Sequence, residues 1–245
     1  MVSSFTKHCG AMLSSSATQT PNYSVPTMIC HDRLHHPLSQ FDLHGYHPSP
    51  NLSDDENYMD IVMIITRSSI LRQGSMGCIL VGHKRDDEQD QSSELLDRII
   101  AASTNTSIFN SGESDIHAEI NAIGQVAKQQ QLHLLQQTTH NNSMQKPTTQ
   151  TNNHSIISTQ GATAYITMPP CNRCYGALYA SGIKRIVTRK QYRKALLEAS
   201  TKLDIEMVCL TKQQVDDQKL RLDTLFCNAG LEGNVQKYGG NKGRK

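Results

Sequence analysis

His117-Ala118-Glu119 and, further along the chain, Pro170-Cys171-Asn172-Arg173-Cys174 hold the side chains best suited to chemistry. One imidazole and two thiolates supply three ligands to a zinc ion, and a zinc with three protein ligands keeps a fourth position for water, as catalytic sites do. A carboxylate two residues after the histidine can handle protons there without being a ligand. Side chains two apart on a helix diverge by roughly 200°, so His117 and Glu119 can face one metal only near the axis at a helix N-terminus. Cys171 and Cys174 are three apart and fall on one face of a first helical turn. Pro169 and Pro170 suit the entrance of that helix, where a missing N–H costs nothing. Both pairs then sit at positive helix ends, which favour thiolate over thiol.

Cys171 and Cys174 alone are equally compatible with a redox pair or with half of a structural zinc site. A structural site needs a fourth Cys or His, and none lies close in sequence, although a distant one could arrive through the fold. Of the eleven histidines only His117 is followed two residues on by Glu, and most of the others lie in polar stretches that read as solvated. With both halves present in this order, catalytic zinc is the stronger reading against a degenerate or purely structural site.

The elements that must position these groups are legible around them. Ser53-Asp54-Asp55-Glu56 is a capping-box pattern ahead of the apolar stretch Met59–Ile65, which predicts a first helix to about Ser69. Met76–Val81 and Arg98–Ser103 read as an antiparallel strand pair with a long polar connection. The helix behind His117 enters after Ser111–Asp115 and carries Ala118, Ala122 and Val126 on one stripe, with Ile120, Ile123 and Ala127 beside it. Ala162–Met168 is a third strand, and Cys171–Ala180 a second metal-bearing helix that stops at Gly182. Strand Arg185–Thr188, helix Lys190–Thr201 and strand Ile205–Leu210 form a βαβ unit, so the last two strands run parallel. Gln213–Phe226 is a closing helix, with Gly230 beyond it. The sum is an α/β fold of three layers, a mixed five-stranded sheet with helices on both faces.

Hydrophobic residues make up 37% of the 245, low for a globular chain, and the deficit is concentrated rather than spread. Residues 1–56 are rich in Ser, Thr, Pro and His without periodicity and are expected to be a disordered leader. Residues 84–94 form an acidic excursion, and 128–160 a Gln/Asn/Thr/His insertion loop in which Leu132, Leu134 and Leu135 could briefly continue a helix. Residues 231–245 are a basic, glycine-rich tail expected to be disordered. What remains, within residues 57–230, is about 130 residues, enough for one compact core.

A net charge of +2 leaves no global electrostatic footprint for nucleic acid. Local basic clusters occur at Lys184, Arg185, Arg189, Lys190, Arg193 and Lys194 and at Lys242, Arg244 and Lys245; solvated helix faces account for them more simply than a binding surface. Seven cysteines without a secretory signal fit a reducing compartment, so a cytoplasmic location is expected, with nuclear or organellar sites open. The first 31 residues lack acidic groups, as transit peptides do, but are poor in Arg. No apolar run approaches a membrane-spanning length.

The motifs resemble the cytidine deaminase superfamily and, within it, the deoxycytidylate (dCMP) deaminase-like branch. His117-Ala118-Glu119-Ile120-Asn121-Ala122-Ile123 is similar to that branch's H-A-E-x-N-A-I helix. Tyr165–Cys174 followed by Ser181–Val187 is similar to its strand, metal turn and second zinc helix, and Arg67–Arg72 with Gly77–Val81 to its first helix end and first strand. The likeness covers about residues 58–210 between the polar insertions. It implies the cytidine-deaminase-like fold and zinc held by His117, Cys171 and Cys174. It further implies hydrolytic loss of a nucleobase's exocyclic amine, with Glu119 moving protons between water, ring nitrogen and departing ammonia. The backbone N–H groups of Ala118 and Cys171 would help hold the base. Asn105 would hydrogen-bond base or sugar, or else make a local turn. The chain departs from the family at Thr104-Asn105-Thr106-Ser107, where no Arg or Lys stands ready for a phosphate.

Three functions follow from the resemblance. A cytosine nucleotide deaminase would convert dCMP or CMP to dUMP or UMP plus ammonia. A tRNA or other polynucleotide deaminase, acting on adenosine or cytidine, would use the polar insertion, basic helix and basic tail to bind RNA. A non-catalytic zinc-binding subunit would pair with an active partner, although the intact Glu119 speaks against it. The expected partner is a nucleotide, with RNA binding and homo-oligomer formation as further options and no membrane.

Overall fold

The computed structural model describes residues 36–69, 71, 74–82, 94–109, 114, 116–141 and 158–231. Residues 1–35, all but Glu94 of the excursion beyond residue 83, most of Ser111–Asp115, and the tail from 232 lie outside the described residues. The order of elements is α1 (Asp54–Thr66), β1 (Gly77–Val81), α2 (Glu94–Asp97), β2 (Ile99–Thr104), α3 (Ala118–Asn141), β3 (Thr163–Ile166), α4 (Asn172–Ala180), β4 (Arg185–Thr188), α5 (Lys194–Leu203), β5 (Glu206–Cys209) and α6 (Lys212–Asn228). The strands form one sheet in the order β2-β1-β3-β4-β5. Strand β1 is antiparallel to β2 and β3, whereas β3, β4 and β5 run parallel, as the intervening helices require.

The pleat sorts neighbouring side chains onto opposite faces. Cys78, Leu80, Ala101, Ala164, Ile166 and Ile186 pack against Ala118, Ala122 and Val126 of α3, Tyr175 and Leu178 of α4 and Leu196 of α5. Their sequence neighbours Ile79, Ala102, Tyr165 and Val187 join Tyr58, Met59, Ile61, Val62 and Ile65 of α1 on the other face. Helix α6 closes over α1, placing Leu222 and Phe226 against Met63 and Ile64. The result is the three-layer α-β-α arrangement.

Helix α1 starts where the capping box predicts: the Ser53 hydroxyl accepts from the Glu56 N–H at 3.3 Å, and the Glu56 carboxylate accepts from the Ser53 N–H at 3.2 Å. It is buried from Asn57 to Thr66 because sheet and α6 cover opposite sides. Its carboxylate Asp60, 1% exposed, is matched by Arg221 at 3.1 Å and Gln218 at 2.9 Å from α6. Asp55 takes both Arg185 nitrogens of β4 at 2.7 Å. Gly77 starts β1 where a Cβ would meet the Val62 carbonyl at 2.9 Å, so only glycine lets α1 cross there.

Three expectations need correction. Residues 36–53 are not a free leader. Leu38 is buried, and Phe41, Leu43 and Tyr46 pack on the core under α1. Gln40 donates to the Ala102 carbonyl at 3.1 Å, and the Asn57 amide oxygen accepts from the Ser49 N–H at 2.8 Å. Scattered anchors in polar sequence leave no periodicity to read. The second correction is the insertion loop, of which 128–141 continues α3. No Gly or Pro interrupts 125–141, and Gln, Lys and Leu are good helix formers. Third, α5 begins at Lys194 rather than Lys190, because Tyr192 is drawn inward to donate to the Ile186 and Val208 carbonyls at 2.8 Å.

Candidate metal centre

His117 stands just before α3, and its carbonyl accepts the N–H of Asn121 at 3.1 Å. Its position is set from behind. Ile116 bridges to Thr106 through reciprocal backbone hydrogen bonds of 3.0 Å, and the Ser103 hydroxyl donates to the Ala118 carbonyl at 2.6 Å. Asn121 donates to the Thr104 carbonyl at 2.9 Å and to the Thr106 hydroxyl at 3.2 Å, joining the end of β2 to α3. The distinctive Asn of the H-A-E-x-N motif is therefore a positioning residue for the loop ahead of His117.

The other segment leaves β3 over β1, where the Thr167 hydroxyl accepts from the Gly77 N–H at 3.0 Å. Cys171 is the N-cap of α4, its sulfur accepting the Cys174 N–H at 3.5 Å. That helix ends at Gly182 (φ +87°), where a Cβ would also strike the Gln160 side chain.

The two segments converge. His117 Nδ1 lies 3.8 Å from Cys171 Sγ and 3.3 Å from Cys174 Sγ, and the three ligand atoms all lie within 4.8 Å of one another. A tetrahedral zinc with ordinary Zn–S and Zn–N bonds separates sulfur from nitrogen by about 3.5 Å and sulfur from sulfur by about 3.8 Å. The donor set and its spacing therefore fit zinc. Among the described residues no other group of three His, Cys, Asp or Glu side chains is so arranged, and no fourth protein ligand joins this one.

Glu119, in the first turn of α3, is 0% exposed, and neither carboxylate oxygen reaches a donor at hydrogen-bonding geometry. Burial raises its pKa, partly offset by its own backbone N–H, His117 and Cys174. At Cys174 burial first and then the Glu119 charge push the thiol well up. Cys78 of β1, fully buried, has its thiol raised mainly by burial, with Glu119 and Cys174 adding to it.

Asn105 is 1% exposed and turned toward the loop after α1. Its oxygen accepts from the Met76 N–H at 2.8 Å and the Ser69 hydroxyl at 3.3 Å, and its amide donates to the Gly74 carbonyl at 2.9 Å. These bonds run to a loop far away in sequence and are not the local turn offered as the alternative, and contact with substrate would fall to its remaining amide N–H. Ser103 and Thr167 were not singled out from sequence. A hydroxyl at a strand end carries no local signal of the backbone group it will meet.

The model for the cytidine and deoxycytidylate deaminase zinc-binding region matches residues 52–190, and the chain belongs to this family. It is accordingly a deaminase of the cytidine/dCMP deaminase superfamily with a zinc-binding centre. No curated protein matches it. Among solved structures it is similar to the dCMP deaminase from cyanophage S-TIM5 in complex with dCMP and dUMP, at 19% identity over 67% of this chain and 100% of the other, with a TM-score of 0.43. It is also similar to guanine deaminase from Nitrosomonas europaea, at 18% identity over 89% of this chain and 100% of the other, with a TM-score of 0.38. No helix among the described residues is long and apolar enough to cross a membrane.

Proposed function

We propose that the chain is a zinc-dependent hydrolytic deaminase of cytosine nucleotides, converting dCMP or CMP to dUMP or UMP plus ammonia. The observation that carries this reading is Glu119, a buried carboxylate without a hydrogen-bond partner, beside a three-ligand cluster of zinc dimensions. His117, Cys171 and Cys174 would hold the ion. Bound zinc supplies a Lewis acid that makes water nucleophilic near neutral pH. Glu119 takes the proton of the attacking water, passes it to the ring nitrogen, and carries a second proton to the departing ammonia. A carboxylate shielded from bulk water, with its pKa moved toward neutrality, suits that shuttle. The N–H groups of Ala118 and Cys171, each at a helix entrance, would orient the base.

Ion pairing in part of the basic cluster supports a small nucleotide over RNA. Within the basic cluster that could grip RNA, Lys184 pairs with Asp204 at 3.2 Å, Arg185 with Asp55 and Glu206 at 2.7 and 3.1 Å, and Lys194 with Glu198 at 3.8 Å. Neutralised cations release few counterions from a polynucleotide. The zinc-loaded chain should release ammonia from dCMP or CMP within a panel that also holds deoxycytidine, cytidine, guanine and tRNA, with the cytosine-to-uracil change read by mass. Turnover of guanine or tRNA with none of the cytosine nucleotides would overturn the proposal.

A further inference from the structure

We propose that Thr167 is a positioning residue for the zinc centre: its hydroxyl closes the last rung between β1 and β3 and so turns the chain out of the sheet toward Cys171 and Cys174. This rests on the reading of His117, Cys171 and Cys174 as the zinc ligands. The antiparallel register Ile79↔Tyr165 and Cys78↔Ile166 continues by one residue to Gly77 opposite Thr167. A hydrogen-bonded pair at that point exchanges two backbone N–H···O=C bonds. Only one is made, from the Thr167 N–H to the Gly77 carbonyl at 3.2 Å. The Gly77 N–H instead donates to Thr167 Oγ1 at 3.0 Å, and the hydroxyl itself donates to the Gly77 carbonyl at 3.3 Å. The side chain thus stands in for the residue's own carbonyl. The buried Gly77 N–H is satisfied, and the chain after Thr167 leaves the ladder.

The same arrangement ends the β1–β2 ladder one residue away. The Asn105 N–H donates to the Met76 carbonyl at 3.1 Å, and the Met76 N–H donates to Asn105 Oδ1 at 2.8 Å. The two segments that lead to the metal ligands therefore both leave the sheet at the head of β1, each on a side-chain oxygen. From Thr167 only Met168, Pro169 and Pro170 intervene before Cys171. The prolines hold φ near −65° and donate no N–H, and each residue ahead of a proline is confined to extended backbone. Among the described residues these three make no hydrogen bond. The Thr167 rung is thus the last hydrogen-bonded anchor before Cys171, and a stiff arm carries its direction to the N-cap of α4. The ligand atoms leave little slack: His117 Nδ1 stands 3.3 Å from one sulfur and 3.8 Å from the other, against about 3.5 Å around a tetrahedral zinc. Without the hydroxyl, the Gly77 N–H either stays unsatisfied or turns to the Thr167 carbonyl, which draws the arm back along the sheet.

The test measures the zinc affinity of the full-length chain by competition with a chromogenic chelator. The visible spectrum of the chain loaded with Co2+ is read beside it, because it reports the geometry at the ligands. Thr167→Val keeps the shape and removes the hydroxyl; Thr167→Ala removes it and vacates space, and either variant that folds serves. Zinc binding is expected to weaken by about tenfold to a hundredfold in both, with an altered cobalt spectrum. Thr167→Ser, which keeps the hydroxyl, should bind as wild type does. Thr188→Val is the control for lost stability alone: it removes a buried hydroxyl, bonded to the Lys190 carbonyl at 2.8 Å, from the end of a strand that leads to no ligand. Its zinc affinity should match wild type. Unchanged affinity and spectrum in Thr167→Val and Thr167→Ala, equal loss in Thr167→Ser, or equal loss in Thr188→Val would overturn the role of Thr167. A wild type that binds no zinc, or whose cobalt form lacks sulfur-to-metal charge transfer, refutes the ligand reading itself, a result distinguishable from all of these.

Discussion

Replacing Glu119 by Gln removes one charge and keeps the shape. The side chain is 0% exposed and its oxygens meet no donor, so no network of hydrogen bonds fixes it and none is broken by the exchange. The carboxylate stands outside the ligand triad, so zinc should remain at about one per chain. What is lost is a positioned group able to take and return protons. General acid–base catalysis contributes typically 10²–10⁴-fold, or about 3–5.5 kcal/mol of barrier, and kcat should fall by that factor with KM little changed. Because burial opposes the carboxylate's charge, the metal-free variant should melt no lower than metal-free wild type. The assay is ammonia release from dCMP beside elemental analysis and thermal melting of both proteins. Turnover within tenfold of wild type, or loss of zinc with the carboxylate, would refute the reasoning.

Cys174→Ser replaces a buried thiolate ligand with a poor one, so zinc content and turnover should fall together, and added zinc should restore neither. Removal of residues 1–52 takes away Leu38, Phe41, Leu43 and Tyr46; the truncated chain should be destabilised by about 3–5 kcal/mol in urea unfolding, and an unchanged midpoint would mean that 36–52 does not hold the core. At Asp55 burial raises the carboxyl pKa, but hydrogen bonds from Arg185 and Tyr165 outweigh it and hold the group below its ordinary range. A depressed folded pKa gives stability that is full above the unfolded value of about 4 and lost as pH falls through the folded one. Asp55→Asn should therefore cost about 1–3 kcal/mol at neutral pH, a deficit that shrinks toward zero as unfolding is followed down to about pH 2.

The chemistry was legible early because metal ligation demands particular residue types at short spacings, and both halves of the ligand set are local in sequence. The start of α1 was legible for the same reason: the Ser53 hydroxyl needs only a residue three positions away. Short apolar runs marked the strands, and the helix between β4 and β5 determined that they run parallel. Tertiary structure alone decided how the pieces meet. His117 comes within 3.3 Å of Cys174 because β1 lies between β2 and β3, an order set by pairing between distant strands. Glu119 loses its water only when α3 packs on the sheet. Asn105 turns to the loop after α1, and Asp60 finds Arg221, through contacts that no short window contains. Residues 36–53 were misread for a related reason: a few apolar anchors become decisive only when a core exists to receive them. Local signals specify what each segment can do; burial and long-range pairing select which of those capacities the folded chain uses.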